Sequence, residues 1–338
     1  MQAPPERTDV AIIGAGPVGL FAVFECGMLQ MRCCVIDALA VPGGQCAALY
    51  PEKPIYDIPG YPRIDAAELI DRLAEQAAPF EPTYHLGHAV TGLAAAGGGF
   101  VLETGGGLRL QAQAIIIAAG AGAFGPNRPP LDGIAAFEEK SVFYLVRRRE
   151  DFRSRRVVIA GGGDSAVDWA LSLAEVADRV MVVHRRAKFR AAPDSAARLQ
   201  QLADDGRIEL VIPYQLHALE GDNGELRAVI VADLDGNTRR LDADRLLPFF
   251  GLATDLGAVA EWGLALDHNH IRVDPATCAT SRPGIFAIGD VAAYPGKLKL
   301  ILSGFAEAAL AAHAIYPLVY PGEALHFEYS TTKGVPGR

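Results

Sequence analysis

The sequence predicts an α/β fold of two Rossmann-like domains, with the second inserted into the first. Three observations carry that prediction. At residues 9–37 a short β-branched strand runs straight into a glycine-rich turn, a helix and a second strand. The same order recurs at residues 156–186, and a late strand ending in Gly289-Asp290 returns to the first domain. Two copies of one βαβ unit in one chain imply two dinucleotide sites.

Composition narrows the class. The chain has 338 residues, enough for two domains with full cores. Half of the residues are hydrophobic and 21% are charged, ordinary proportions for a globular enzyme. With 31 basic and 40 acidic residues the formal net charge is -9, so the surface as a whole repels nucleic acid and anionic lipid. The five cysteines, at 26, 33, 34, 46 and 278, are odd in number and form no C-x-x-C, which reads as free thiols in a reducing compartment. The first residues carry no apolar signal-peptide core. No apolar run is read as approaching the roughly 20 residues of a membrane span. The expectation is a soluble, cytoplasmic protein with no membrane or nucleic-acid partner.

The elements follow in order. Asp9-Val10-Ala11-Ile12-Ile13 reads as a buried parallel strand, followed by Gly14-Ala15-Gly16-Pro17-Val18-Gly19 and a helix to about Met28. Cys33-Cys34-Val35-Ile36 is the next strand and ends on Asp37. A helix is expected over 67–78. Strands near 83–90, 99–103 and 108–111, with glycine turns at 97–99 and 105–107, read as an antiparallel insert. Residues 114–120 read as a separate buried strand. Arg156-Val157-Val158-Ile159-Ala160 opens the second unit, followed by Gly161-Gly162-Gly163-Asp164-Ser165-Ala166, a helix to about Val176, and the strand Val180-Met181-Val182-Val183. A helix over 195–204 and strands over 208–213, 227–233, 238–241 and 245–248 complete it. Pro and Gly cluster at 120–133 and 248–257, the expected crossings. The domains are therefore drawn as 1–121 with 252–328, and 122–251, followed by an extension at 329–338.

The two glycine motifs are not equivalent. In the first, Gly14 makes the tight turn, Gly16 lets a pyrophosphate approach the backbone, and Gly19 lets helix and strand pack closely. The helix N-terminus offers its N–H groups to the phosphates. Asp37, at the end of the second strand, is placed for a ribose 2′-OH. The second motif has Ala166 in place of its third glycine, an accepted variant. Gly161, Gly163, Asp164 and Ser165 complete the turn. Where the first unit has Asp37, the second has His184-Arg185-Arg186, then Lys188 and Arg190. Arginines there suit a 2′-phosphate, which a carboxylate would repel. A solvated basic turn would look similar, but its position at the strand end points to NADP. One acidic and one basic strand end imply two different ligands.

Gly14–Gly19, Gly43-Gly44-Gln45, Pro59-Gly60, Gly161–Ala166 with His184-Arg185-Arg186, and Gly289-Asp290 together resemble the thioredoxin-reductase-like flavoproteins. The resemblance spans essentially the whole chain. Ala119 stands where that family's A-T-G segment has Thr. The redox C-x-x-C of thioredoxin reductases is missing: residues 142–149 are Val-Phe-Tyr-Leu-Val-Arg-Arg-Arg. The chain is therefore closer to the thioredoxin-reductase-like ferredoxin/flavodoxin–NADP(+) reductases. Leu49-Tyr50-Pro51-Glu52-Lys53, residues 162–169, Lys299-Leu300-Ile301, residues 304–308 and the tail Tyr329-Ser330-Thr331-Thr332-Lys333 carry that resemblance. It implies FAD in the first domain, touched by Asp37, Gln45, Tyr50, Val90, Phe124, Asp290 and Thr331. NADPH would lie in the second, held by Gly161, Gly163, Asp164, Ser165, Ala166, His184, Arg185, Arg186 and Arg190. It also implies Tyr50 on one flavin face and, on the other, Tyr329 from the second subunit of a homodimer. A helix starting near 301–304 would aim its positive end at the flavin.

Two further readings stay open at this level. Cys46 follows Gly43-Gly44-Gln45, near the cysteine position of flavin disulfide or peroxide reductases, although a C-x-x-x-x-C partner would be Pro51. A non-catalytic NADP(H)/FAD-binding sensor would carry the same glycine motifs. Arg147, Arg148, Arg149, Arg153, Arg155 and Arg156 form the densest basic cluster. They are either a docking face for an acidic carrier or a solvated surface. Cys33 and Cys34 read as core residues, and His268 and His270 as turn residues rather than metal ligands.

Overall fold

A computed structural model describes residues 4–120, 122–325 and 334–335, without the side chains of 123–126 and 252–254. In chain order the elements begin with β1 (Glu6–Ile13), α1 (Pro17–Met28), β2 (Cys33–Asp37), α2 (Gly44–Ala48), β3 (Pro54–Ile55), β4 (Ile64–Asp65) and α3 (Ala66–Ala77). Next come β5 (Thr83–Leu86), β6 (Val90–Ala96), β7 (Gly99–Thr104), β8 (Arg109–Ile117) and β9 (Ala123–Pro126). Then follow β10 (Arg156–Ala160), α4 (Asp164–Leu173), β11 (Arg179–Val183), α5 (Pro193–Asp204), β12 (Ile208–Val211), β13 (Gln215–Asp222), β14 (Glu225–Ala232), β15 (Thr238–Asp242) and β16 (Arg245–Pro248). The last are β17 (Leu252–Asp255), β18 (Leu266–Asp267), β19 (His270–Arg272), β20 (Ile285–Ala287), β21 (Ala292–Ala293) and α6 (Ile301–Val319). The chain divides into two compact units, Met1–Phe124 with Thr254–Arg338, and Gly125–Ala253.

The first unit is built on one sheet in the order β5-β2-β1-β8-β7-β6, with β20 beside β8. β1, β2, β5, β8 and β20 are parallel, while β6, β7 and the start of β8 form an antiparallel meander. Alternation sorts the strand residues onto two faces. Val10, Ile12, Val35 and Ile116 face a core that contains α1 and α6, and Ala11, Ile13, Ile36 and Ile115 face a second core with Leu256, Val259 and Trp262. Ile12, Ile115, Ile116 and Ile117 are fully buried, each contributing about 1.5–3 kcal/mol by leaving water. Cys33 and Cys34 fall on opposite faces, one in each core, so they do not meet.

The second unit carries a parallel sheet β12-β11-β10-β16 and an antiparallel meander β13-β14-β15. Val158, Ala160, Met181, Val183 and Leu246 form its core with residues of the meander.

The structure corrects several sequence expectations. β5 belongs to the parallel sheet, paired with β2, rather than to an antiparallel insert. Residues 108–111 and 114–120 are not two strands: β8 is continuous, its first half shared with β7 and its second half with β20. β13 went unread because register shifts at Leu216/Ala218 and Glu220/Gly221 break its alternation. α6 runs for 19 residues, and by length and composition it is apolar enough to cross a membrane, which the sequence reading did not expect. Its Ala308, Ala311, Ala312, Ile315 and Val319 instead share the core that contains α1 residues Ala22, Val23 and Cys26.

Candidate functional site

The turn between β1 and α1 is set by backbone contacts. The Gly14 N–H donates to the Ile36 carbonyl at 2.8 Å, and Gly14 has φ +111°. A Cβ on Gly14 would fall 2.4 Å from the Ala118 carbonyl oxygen, and one on Gly19 would fall 1.9 Å from the Gly14 carbonyl oxygen. A Cβ on Gly16 would meet nothing within 4 Å. The first and third glycines are thus required by packing, whereas Gly16 borders open space. α1 begins there with Pro17 in its first turn, where a missing N–H costs nothing.

That space is a cavity of about 360 Å³ within the first unit. Its wall includes Gly14, Gly16, Asp37, Gln45, Cys46, Tyr50, Val90, Asp290 and Ile301, the first residue of α6. Asp37 is already engaged: one oxygen accepts the Ala15 N–H at 2.6 Å and the other the Leu39 N–H at 2.7 Å. Each oxygen keeps a second lone pair for a ligand hydroxyl. The Cys46 thiol lies 3.9 Å from the Tyr50 hydroxyl, and burial pushes that thiol up to about 11. Burial likewise holds Tyr50 in its protonated form, with Cys46 and Asp290 adding to the effect.

Some wall residues had no sequence signal. Leu39, His88, Ala89 and the stretch Asp255–Val259 line the cavity because the sheet and the return segment bring them there. No local motif marks them. Phe124 lies in β9 with its side chain outside the described residues, as do Tyr329 and Thr331 entirely.

The second unit repeats the turn with different edges. The Gly161 N–H donates to the Val183 carbonyl at 3.0 Å, and a Cβ there would fall 2.6 Å from the Phe249 carbonyl oxygen. Gly163 caps α4 and borders open space, and Ala166 is buried in the helix–turn contact. Asp164 accepts the Ala192 N–H at 2.9 Å, and the Arg190 N–H donates to the Gly162 carbonyl at 2.7 Å. These two bonds pin the loop after β11 onto the glycine turn. The His184 ring stacks on Phe189 at 5.1 Å and packs against Gly162, where any Cβ would fall 2.2 Å from it. Burial lowers the His184 pKa, and the nearby Arg190, Arg185 and Arg186 charges add to that effect. Ser165, Arg185, Arg186 and Arg190 are exposed. Among the described residues no carboxylate forms an ion pair with these three arginines.

The basic cluster at 147–156 is different. Arg148 pairs with Asp151, Arg149 with Glu175, Arg153 with Glu150 and Arg156 with Asp244. Most of its charge is answered locally. His270 accepts from the Lys299 ammonium at 2.6 Å.

Two glycine turns of the dinucleotide type, one closed by a carboxylate and one by exposed arginines, define a two-nucleotide α/β protein. The chain belongs to the pyridine nucleotide-disulphide oxidoreductase family, whose model matches residues 8–314. A ferredoxin–NADP reductase of Rhodospirillum rubrum is 66% identical over 340 residues, covering 99% of each chain. One of Paramagnetospirillum magneticum is 66% identical over 331 residues, covering 98% of each. Among solved structures, a thioredoxin reductase of Lactococcus lactis matches with a TM-score of 0.80 at 27% identity, covering 93% of this chain and 99% of that one.

Proposed function

We propose that the chain is an FAD-dependent ferredoxin–NADP reductase, with the flavin in the first unit and NADPH in the second. What supports it is a pair of nucleotide turns of opposite charge character in a chain whose five cysteines are all free and buried. The C-x-x-C relay of thioredoxin reductases is absent from the sequence, so the reading gives the electrons to a one-electron carrier.

The residues fit the flavin dinucleotide. Gly16 leaves the space that a pyrophosphate takes, Asp37 offers acceptors for a ribose, and Asp290 lines the same wall. Bound FAD supplies the exchange between the hydride of NADPH and two one-electron carriers. The protein's part is placement. The first turn of α1 presents N–H groups to phosphate. Tyr50 and Gln45 shape the wall beside Cys46, and the N-terminus of α6 at Ile301 adds a positive dipole end. In the second unit Arg185, Arg186 and Arg190 select the 2′-phosphate, with His184 holding their loop on the turn. Val90, Phe124 and Thr331 are assigned to the flavin and Tyr329 to its cover by resemblance, with Tyr329 contributed across a homodimer. Cytoplasmic location and a ferredoxin or flavodoxin partner belong to the same reading.

The test is anaerobic mixing of the yellow protein with NADPH or NADH, then with oxidised ferredoxin and, separately, a disulfide. Bleaching by NADPH and turnover with ferredoxin alone is the expected outcome. Disulfide turnover would move the chemistry to Cys46, and absence of bleaching would leave a binding protein.

A further inference from the structure

Glu307 is the one glutamate buried to 3% exposure among the described residues, and it lies two turns into α6, away from solvent. Its carboxylate has three donors. The Gly289 N–H donates to Oε2 at 2.7 Å, the Tyr294 hydroxyl to Oε1 at 2.6 Å, and the Lys297 ammonium pairs with Oε1. The two charged side chains are 4% and 6% exposed. All three donors belong to one stretch, residues 289–297, which carries Asp290 into the cavity wall. The acceptor belongs to the helix whose first residue, Ile301, lines the same cavity.

Stability alone does not account for this arrangement. Taking two charges out of water costs several kcal/mol per ion, and a well-packed apolar pair is often as stable or better. What an apolar pair cannot do is accept the Gly289 N–H. Gly289 has φ +73°, its N–H meets the Glu307 carboxylate, and Gly289 and Asp290 both line the cavity. The pair therefore specifies a backbone position more than it adds cohesion.

We propose that Glu307, held by Lys297 and Tyr294, is a positioning residue for the flavin site: its carboxylate fixes the Gly289 N–H and so sets Asp290 against the cavity. This rests on the flavin reading above. It assigns the buried pair to cofactor retention, beyond the glycine turn and Asp37.

Two double variants of the full chain separate position from charge. Glu307→Gln with Lys297→Met removes both charges and keeps an acceptor for Gly289. Glu307→Leu with Lys297→Met removes both charges and the acceptor. FAD release from each holoprotein is followed by flavin fluorescence, and thermal unfolding of each apoprotein is recorded alongside. Losing a bond to a buried N–H predicts about tenfold faster FAD release from the Leu variant, with the Gln variant close to wild type. Equal release from the two, at equal apoprotein stability, overturns the proposal. If the Leu variant does not fold, Tyr294→Phe removes one donor that holds the carboxylate and leaves the charge pair in place. Faster release from that variant supports the proposal, and wild-type release overturns it. A wild-type protein that takes up no FAD refutes the flavin reading itself, and the proposal with it.

Discussion

Gly16 and Gly19 sit three residues apart in one motif and answer to different demands. A methyl at Gly19 would overlap the Gly14 carbonyl oxygen at 1.9 Å, whereas one at Gly16 would meet no protein atom within 4 Å. Gly19→Ala should therefore destabilise the apoprotein by about 1–3 kcal/mol or more, the range for overpacking. Gly16→Ala should leave apoprotein unfolding unchanged and weaken FAD binding, because its methyl points where the ligand goes. Equal effects on apoprotein stability would remove that distinction. The arginines allow a second residue-level test. Each charge-assisted contact is worth about 1.5–3 kcal/mol, so Arg185→Ser with Arg186→Ser should raise KM for NADPH far more than for NADH. An unchanged ratio would return these side chains to solvated surface. Both tests concern residues legible in the sequence, because a strand end and a glycine turn are local features. Leu39 and His88 were not legible, since only the packed sheet brings them to the cavity.

Elements were legible where their periodicity was local. β1, β2, β10 and β11 read as buried parallel strands because each is a short β-branched run ending at a turn. β8 did not read as one strand, because its two halves have different neighbours. α6 is the instructive case. Its apolar composition alone suits a lipid environment, yet the helix is committed to protein on the face where Ala308, Ala311 and Ala312 are fully buried. Small residues there permit close approach to α1. Ala308→Leu or Ala312→Leu should lower the thermal unfolding midpoint, with overpacking costing about 1–3 kcal/mol. An unchanged midpoint would mean that the α1–α6 contact has slack.

For the molecule as a whole, the buried thiols set an alkaline limit. Burial pushes Cys34 and Cys278 up to about 12 and Cys46 to about 11, from an ordinary 9.0. The folded chain keeps these protons after the unfolded chain has lost them. Their contribution is fully present below pH 9.0 and is lost as pH rises through 11 to 12. Denaturant midpoints should fall between about pH 8 and pH 11, and native thiols should resist alkylation near pH 8. Rapid labelling of Cys46 at that pH would contradict its burial. Charge is also a whole-molecule property: the arginines at 148, 149, 153 and 156 read as a docking face or a solvated surface in one dimension, and in three dimensions carboxylates such as Glu175 and Asp244 pair with them. The sequence by itself determined the two βαβ units, the acidic and basic strand ends, the order of the motifs and the absence of a C-x-x-C, because each is written in neighbouring residues. The tertiary structure alone decided which charges are paired, which face of α6 is buried, and that Glu307 reaches back to Gly289. Those depend on contacts between residues far apart in the chain, and no local pattern encodes them.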